Sequence, residues 1–195
     1  MILVPVLVFL LFAPVAIFLQ RLYRFRNRTI HEVTPFLRRI NIEELESLLD
    51  SRGEYALQQN LTAALFAKAQ LRRIHLFREK LKCADHNASV LQQWAVYELD
   101  RTYVTHDDQV RTNAACLLEL CREFRIAAFW IQIQLNLWYV KLALLPVRRI
   151  PFLSCLRTID SFDLLDCYRQ LAEKAAALSS VTSGESCRLN CADLL

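Results

Sequence analysis

Residues 110–145 read VRTNAACLLELCREFRIAAFWIQIQLNLWYVKLALL. In this stretch Val110, Ala114, Leu117, Cys121, Phe124, Ala128, Ile131, Leu135, Trp138, Leu142 and Leu145 follow one another in alternating steps of four and three without a miss. An α-helix turns once in about 3.6 residues, so that spacing lays all of them along one stripe. The stripe runs for about five heptads, the pattern that packs helices against each other at a shallow angle. The first half of the helix is amphipathic, with Arg111, Asn113, Glu119, Arg122 and Glu123 off the stripe. The second half, Ile126 to Leu145, is apolar on nearly every side, and Pro146 ends it. Residues 131–137 also alternate with period two, but a lone strand would have no partner, so the helix is the preferred reading.

The surrounding chain supports an all-α fold. Glycine occurs only at positions 53 and 184 and proline five times, so glycine-dependent hairpins are nearly excluded. The expected architecture is an N-terminal transmembrane helix followed by an antiparallel bundle of long helices over residues 41–179. Thr34-Pro35 resembles an N-cap with proline at the first helical position and predicts a short turn from Phe36 to Ile40. Asn41 with Glu44 resembles a capping box for a short helix, which Gly53 is expected to end in the left-handed C′ position. A long helix is expected over Glu54–Cys83, with Leu57, Leu61, Ala64, Ala67, Leu71, Ile74, Phe77 and Leu81 on its buried stripe. Gln58, Gln59, Gln70, Arg73 and Lys80 fall off that stripe. Asp85 is expected to cap a separate helix over about 86–104, buried through Val90, Leu91, Trp94 and Tyr97. Thr105, with Asp108 at the third position, is expected to cap the helix of the opening stretch. Pro151 is expected to start a short helical piece reaching about Thr158. A last helix over 161–179 buries Leu165, Tyr168, Leu171, Ala175 and Leu178, and residues 180–195 read as a flexible tail.

The other specific feature is at the start. Met1 to Leu19 contains no charge and no amide, and Arg21, Arg24, Arg26 and Arg28 follow it. A helix needs about 20 apolar residues to cross a bilayer core of roughly 30 Å, so residues 1–25 are expected to be a transmembrane anchor. Pro5 and Pro14 are tolerated in such a span. A cleaved signal peptide is disfavoured, because no basic residue precedes the run and Ile17-Phe18-Leu19-Gln20 is a poor cleavage site. Residues 26–40 form a basic juxtamembrane segment, and residues 21–39 together hold six Arg and one acid. Basic flanks stay cytoplasmic, so the expected topology is single-pass, with the amino terminus outside and the main domain cytoplasmic. Arg21, Arg24, Arg26 and Arg28 are the expected contacts to anionic headgroups of the bilayer.

Residues 40–195 carry 18 basic and 19 acidic side chains, so the positive charge is juxtamembrane and a nucleic-acid partner is not expected. The seven cysteines, 83, 116, 121, 155, 167, 187 and 191, are expected to be reduced thiols in a cytoplasmic domain. Cys83 with His86 and Cys187 with Cys191 make two close pairs, but the second lies in the tail, so a metal site is not expected. His75 reads as a helix-surface residue, and His106-Asp107-Asp108 as capping residues at a helix start. No nucleotide loop, G-x-S-x-G or H-E-x-x-H occurs, and no cofactor is expected.

The remaining candidates lie in the apolar half of the long helix: Trp130, Gln132, Gln134, Asn136, Trp138 and Lys141, as a pocket or an interface. The same polar residues argue against a second membrane span, since a central lysine alone costs about 2.5–3.5 kcal/mol on insertion scales. The functional expectation is a non-enzymatic interaction or scaffold module at the cytoplasmic membrane face, meeting a protein partner or a second copy through its helices. A second reading is a membrane-proximal enzyme or lipid-handling protein with a pocket near Trp130–Leu145. A third, a secreted disulfide protein, requires cleavage after the first segment.

Overall fold

The computed structural model describes residues 36–144 and 161–183, which form five helices in the order α1 (Ile42–Leu49), α2 (Ser51–Asn60), α3 (Ala63–Thr105), α4 (Asp108–Leu144) and α5 (Ser161–Ser183). The expected transmembrane anchor at 1–25, the contacts of Arg21, Arg24, Arg26 and Arg28, the 151–158 piece and the tail beyond Ser183 lie outside the described residues. Among the described residues, no helix is long and apolar enough to cross a membrane.

The two long helices dominate. α3 has 43 residues and α4 has 37, and they pack along their length. At 1.5 Å per residue α3 is about 64 Å long. The chain reverses between them at His106, which takes the left-handed conformation (φ 52°, ψ 32°), and Asp107. The heptad stripe of α4 is the centre of the core: all nine of its members from Val110 to Trp138 are buried. Against it α3 sets Phe77, Leu81, Ala84, Ala88, Leu91 and Trp94. α5 closes the half of the bundle nearest the turn with Leu164, Leu165, Tyr168, Leu171, Ala175 and Leu178. Its level is fixed by the Tyr168 ring, 5.3 Å from the Phe124 ring centre, and by the Cys167 thiol on the Leu120 carbonyl.

Six expectations need correction, and each has a local cause. Residues 37–40 are not helical. The backbone of Arg38 is bonded on both sides by the Asn87 side chain, whose Oδ1 accepts from Arg38 N (2.8 Å) while Nδ2 donates to Arg38 O (2.8 Å). Those backbone groups are satisfied outside a helix.

Gly53 does not end α1. It lies in the first turn of α2, where the Asp50 carboxylate accepts from Arg52 N and Gly53 N. Those two backbone bonds hold the Asp50 pKa below its ordinary value. Asp50 serves as the C-cap of α1 and the N-cap of α2, so the chain bends without a left-handed glycine. Asn41 does cap α1 as expected, accepting from Glu44 N at 3.2 Å.

The expected 54–83 helix is broken at Leu61 and Thr62, both extended. The break folds α2 back beside α3 and lets Gln70 Nε2 donate to Glu54 Oε1 at 2.9 Å. Sixteen residues apart on one straight helix, those groups would be separated by about 24 Å. The folding back also moves the buried stripe. Phe66, Gln70 and Arg73 are buried, whereas Leu57, Ala64 and Leu71 are exposed.

Asp85 caps nothing. It sits in the middle of α3, which contains neither glycine nor proline. An aspartate in a helix interior costs at most about 0.7 kcal/mol relative to alanine. Here its carboxylate is held by Arg125 of α4, with Nε 3.3 Å from Oδ1.

Thr105 is the last residue of α3, and the cap of α4 is Asp107, which accepts from Gln109 N (3.0 Å) and Val110 N (3.2 Å). Finally, α5 continues through Ser180–Ser183, which was expected to begin the tail. Leu178 and Ser179 are buried, and the Ser180 and Thr182 hydroxyls donate to carbonyls one turn back, to Ala177 O and Leu178 O.

Candidate functional site

The buried polar side chains are the first place to look for chemistry, since an ionised group is rarely buried without a task. In this bundle most of them join elements. Asn87, fully buried, clamps Arg38 and also donates to the Tyr168 hydroxyl at 3.1 Å, tying the chain before α1 to α3 and α5. Arg73 donates to the last carbonyls of the α1 region, Leu48 O at 2.7 Å and Asp50 O at 2.8 Å. The final carbonyls of a helix have no partner within it, so a guanidinium there supplies both hydrogen bonds and the charge the helix dipole favours. Burial draws the Arg73 pKa down, while Glu54 and Asp50 oppose the shift. Arg125, 2% exposed, pairs with Asp85 and donates to Gln92 Oε1 at 2.7 Å. Glu98 accepts from the Trp94 indole at 3.1 Å and pairs with Arg101. At the surface, Lys80 with Glu44 and Arg169 with Glu46 fasten α1 to α3 and α5.

Tyr168 makes a titration test of this packing. Burial pushes its phenol up to about 12, against the lowering effect of the Asn87 hydrogen bond. The folded state therefore keeps this proton above the ordinary tyrosine pKa near 10. Its contribution to stability is complete below about pH 10 and is lost as pH rises toward 12. Alkaline titration is expected to show one phenolate that forms only as helical circular dichroism is lost. Ionisation of every tyrosine before unfolding would contradict the buried placement.

Among the described residues, the cysteines and histidines do not converge. Cys83, Cys116, Cys121 and Cys167 are free thiols. Burial raises the Cys121 pKa well above the ordinary value and raises that of Cys167 as well, so neither is an activated thiolate. Among the described residues, no group of three or more His, Cys, Asp or Glu side chains is placed to hold a metal. His86 Nε2 meets Phe36 O at 3.1 Å, and exposed His75 pairs with Glu79 one turn on. His106, Asp107 and Asp108 line a cleft of about 190 Å³ at the α3–α4 turn, with Thr102, Tyr103 and Arg111. Ligand pockets usually span about 300–1,000 Å³, and this one is built from capping residues. The Arg111 guanidinium lies 5.8 Å over the Tyr103 ring, a surface cation–π contact.

The six candidates on α4 are spread around the helix. Trp138 is buried on the heptad stripe and Gln134 is half-buried one turn before it. Gln132, half-buried, and Asn136, exposed, share another side, again one turn apart. Trp130 is 55% exposed and lies away from the stripe. Lys141 is in the last turn of α4. The structure therefore brings Gln134 to Trp138 and Gln132 to Asn136, and separates Trp130 from Trp138.

What sequence reasoning missed is a second apolar row. Ile126, Trp130, Ile133, Leu137 and Val140 repeat the four–three spacing on the side of α4 opposite its core stripe. Ile126, Trp130, Leu137 and Val140 are all more than half exposed, and Ile133 is half-buried. The signal was present in the apolar character of Ile126–Leu145, but only knowing which stripe is buried shows that this row faces away. Single exposed apolar residues are ordinary, but these are aligned along about 21 Å of one helix. Comparison with known protein families, curated proteins and solved structures finds no match to this chain.

Proposed function

We propose that this protein is a single-pass, membrane-anchored helical module that works by contact rather than by catalysis, with its bundle on the cytoplasmic side. The observation that carries the reading is Met1–Leu19 followed by Arg21, Arg24, Arg26 and Arg28. An apolar run of that length with basic residues behind it favours insertion with the basic end in the cytoplasm. The bundle supports a contact role in a second way. Its buried Arg73, Arg125 and Glu54 are engaged in joining helices, and Glu98 is held within α3 by Trp94 and Arg101. A row of exposed apolar side chains lies on α4.

The test is the topology of the full chain in cells. The protein is expected to resist alkaline carbonate extraction from membranes and to keep Met1–Leu19 in its intact mass. A membrane-impermeant thiol reagent is expected to label none of its cysteines in intact cells, and to label the half-buried Cys83 and Cys116 after lysis. Recovery in the soluble fraction, or labelling before lysis, would overturn the proposal.

A further inference from the structure

At the break between α2 and α3 the local sequence and the tertiary packing disagree. The residues across it, Leu57–Phe66, include neither glycine nor proline. Leu57, Leu61, Ala64 and Leu71 keep helical spacing straight through it. Asn60 and Thr62 are only mildly unfavourable inside a helix. Thr62, at the N-cap of α3, makes no side-chain capping bond. Yet Leu61 (φ −106°, ψ 149°) and Thr62 (φ −64°, ψ 158°) are extended. Conflict between local and tertiary preference concentrates at functional or strained sites.

The contacts that hold the break are polar. α2 has ten residues, and among its described side chains the buried one is Glu54. Tyr55 is 63% exposed and Leu57 36%. α2 therefore buries no apolar side chain, and a helix this short is marginal without such burial. It is held to α3 by contacts that include Gln70 on Glu54, with Arg73 on Leu48 O and Asp50 O just before it. α1 in turn buries Leu45 and is fastened by the ion pairs of Lys80 with Glu44 and Arg169 with Glu46. Ion pairs near the surface are individually weak and are screened by salt.

We infer that residues 51–62 are a conformational switch, folded back as in this structure or straightened so that α2 and α3 form one helix, with buried Arg73 and Glu54 as the latch. Straightening pairs the backbone groups at the break within one helix. It places Leu57, Leu61, Ala64 and Leu71 on a single face. It gives up the Gln70–Glu54 bond and the Arg73 contacts, and it carries α1 off the bundle, because α1 ends directly before Asp50. The added residues 51–62 lengthen α3 by about 18 Å. The consequence at the membrane rests on the anchor proposed above: straightening frees the strap between anchor and bundle, and lets the bundle stand farther from the bilayer.

The test is the distance between positions 55 and 78 in the full detergent-solubilised chain. It is read by pulsed electron paramagnetic resonance, with nitroxide-bearing unnatural amino acids in place of the exposed Tyr55 and Arg78. In the folded-back form Glu54 lies beside Gln70, so the two sites are about 12 Å apart along α3 and about 10 Å across it. In one straight helix they are about 35 Å apart. The chain with its latch intact is expected to give the short distance. Arg73→Gln, and separately Glu54→Ala, are expected to add the long one, more of it at high salt, with helical circular dichroism retained.

Thr62→Pro, added to either latch variant, is expected to remove the long distance. Thr62 already has the φ of proline, and Leu61 has the extended conformation that precedes one. A proline at this position inside the straight helix would break it. The long distance in either latch variant, abolished by Thr62→Pro, supports the inference. Its absence from both latch variants overturns the inference, whether they keep the short distance or lose helix by melting. A long distance that survives Thr62→Pro overturns it too. Flotation of the chain in vesicles reads the anchor separately. A chain that switches without floating leaves the inference standing and defeats the anchor; one that floats without switching does the reverse.

Discussion

Replacing Phe124 with alanine is expected to cost about 3–5 kcal/mol of stability, the usual range for removing a buried aromatic side chain. Phe124 is 1% exposed and sits where three helices meet. It belongs to the α4 stripe, its ring lies against Tyr168 of α5, and α3 passes beside it at the level of the Asp85–Arg125 pair. The cavity left by truncation cannot collapse from one side without pulling the Tyr168 hydroxyl from Asn87, which also holds Arg38. Urea unfolding of the detergent-solubilised chain, followed by helical circular dichroism, measures the loss. A midpoint shift equivalent to less than about 0.5 kcal/mol, the surface value, would mean that this position is not core. Leu117→Ala and Leu135→Ala, on the same buried stripe, are expected to cost about 2–5 kcal/mol each.

Asp85→Ala is expected to be as damaging, at about 3–5 kcal/mol, for an electrostatic reason. Its partner Arg125 is 2% exposed, while the Asp85 side chain is 19% exposed. The substitution removes a carboxylate from a guanidinium that has little water to turn to. Breaking one half of a buried ion pair costs far more than replacing the whole pair with apolar groups of similar volume. The double variant Asp85→Ala with Arg125→Met is therefore expected to recover most of the loss. The same unfolding experiment on both variants decides it. A double variant as unstable as Asp85→Ala would show that the cost is packing rather than an uncompensated charge.

The sequence by itself determined the helical class and the centre of the core. Every heptad position from Val110 to Trp138 is buried as the spacing required, and the α5 positions Leu165, Tyr168, Leu171, Ala175 and Leu178 followed the same rule. These were legible because periodicity is a local property: 3.6 residues per turn turns spacing directly into a face. The Asn41 cap was legible for the same reason, its partner being three residues away.

Helix boundaries were less legible, because the residues that mark them are ambiguous. Asp50, Asp85 and Asp107 are all plausible caps by type. Two of them cap helices and one lies mid-helix in an ion pair with a residue 40 positions away. The side chain of Asp85 takes its partner from α4, and nothing within a few residues of it discloses that choice. Gln70, Arg73 and Asn87 read as surface residues or went unremarked for the same reason, since each is buried by a partner 16 to 81 positions away.

The candidate surface shows the division most clearly. Hydropathy marked Ile126–Leu145 as apolar all round, which in a sequence fits a core helix, a membrane span or an interface alike. Only the packing separated the faces. The stripe through Leu135 and Trp138 is buried, while Ile126, Trp130, Leu137 and Val140 on the opposite side of α4 are exposed. Which residues can be buried is written in the order of the side chains. Which of them are buried depends on the face that helices far along the chain pack against, a tertiary fact that no local spacing encodes.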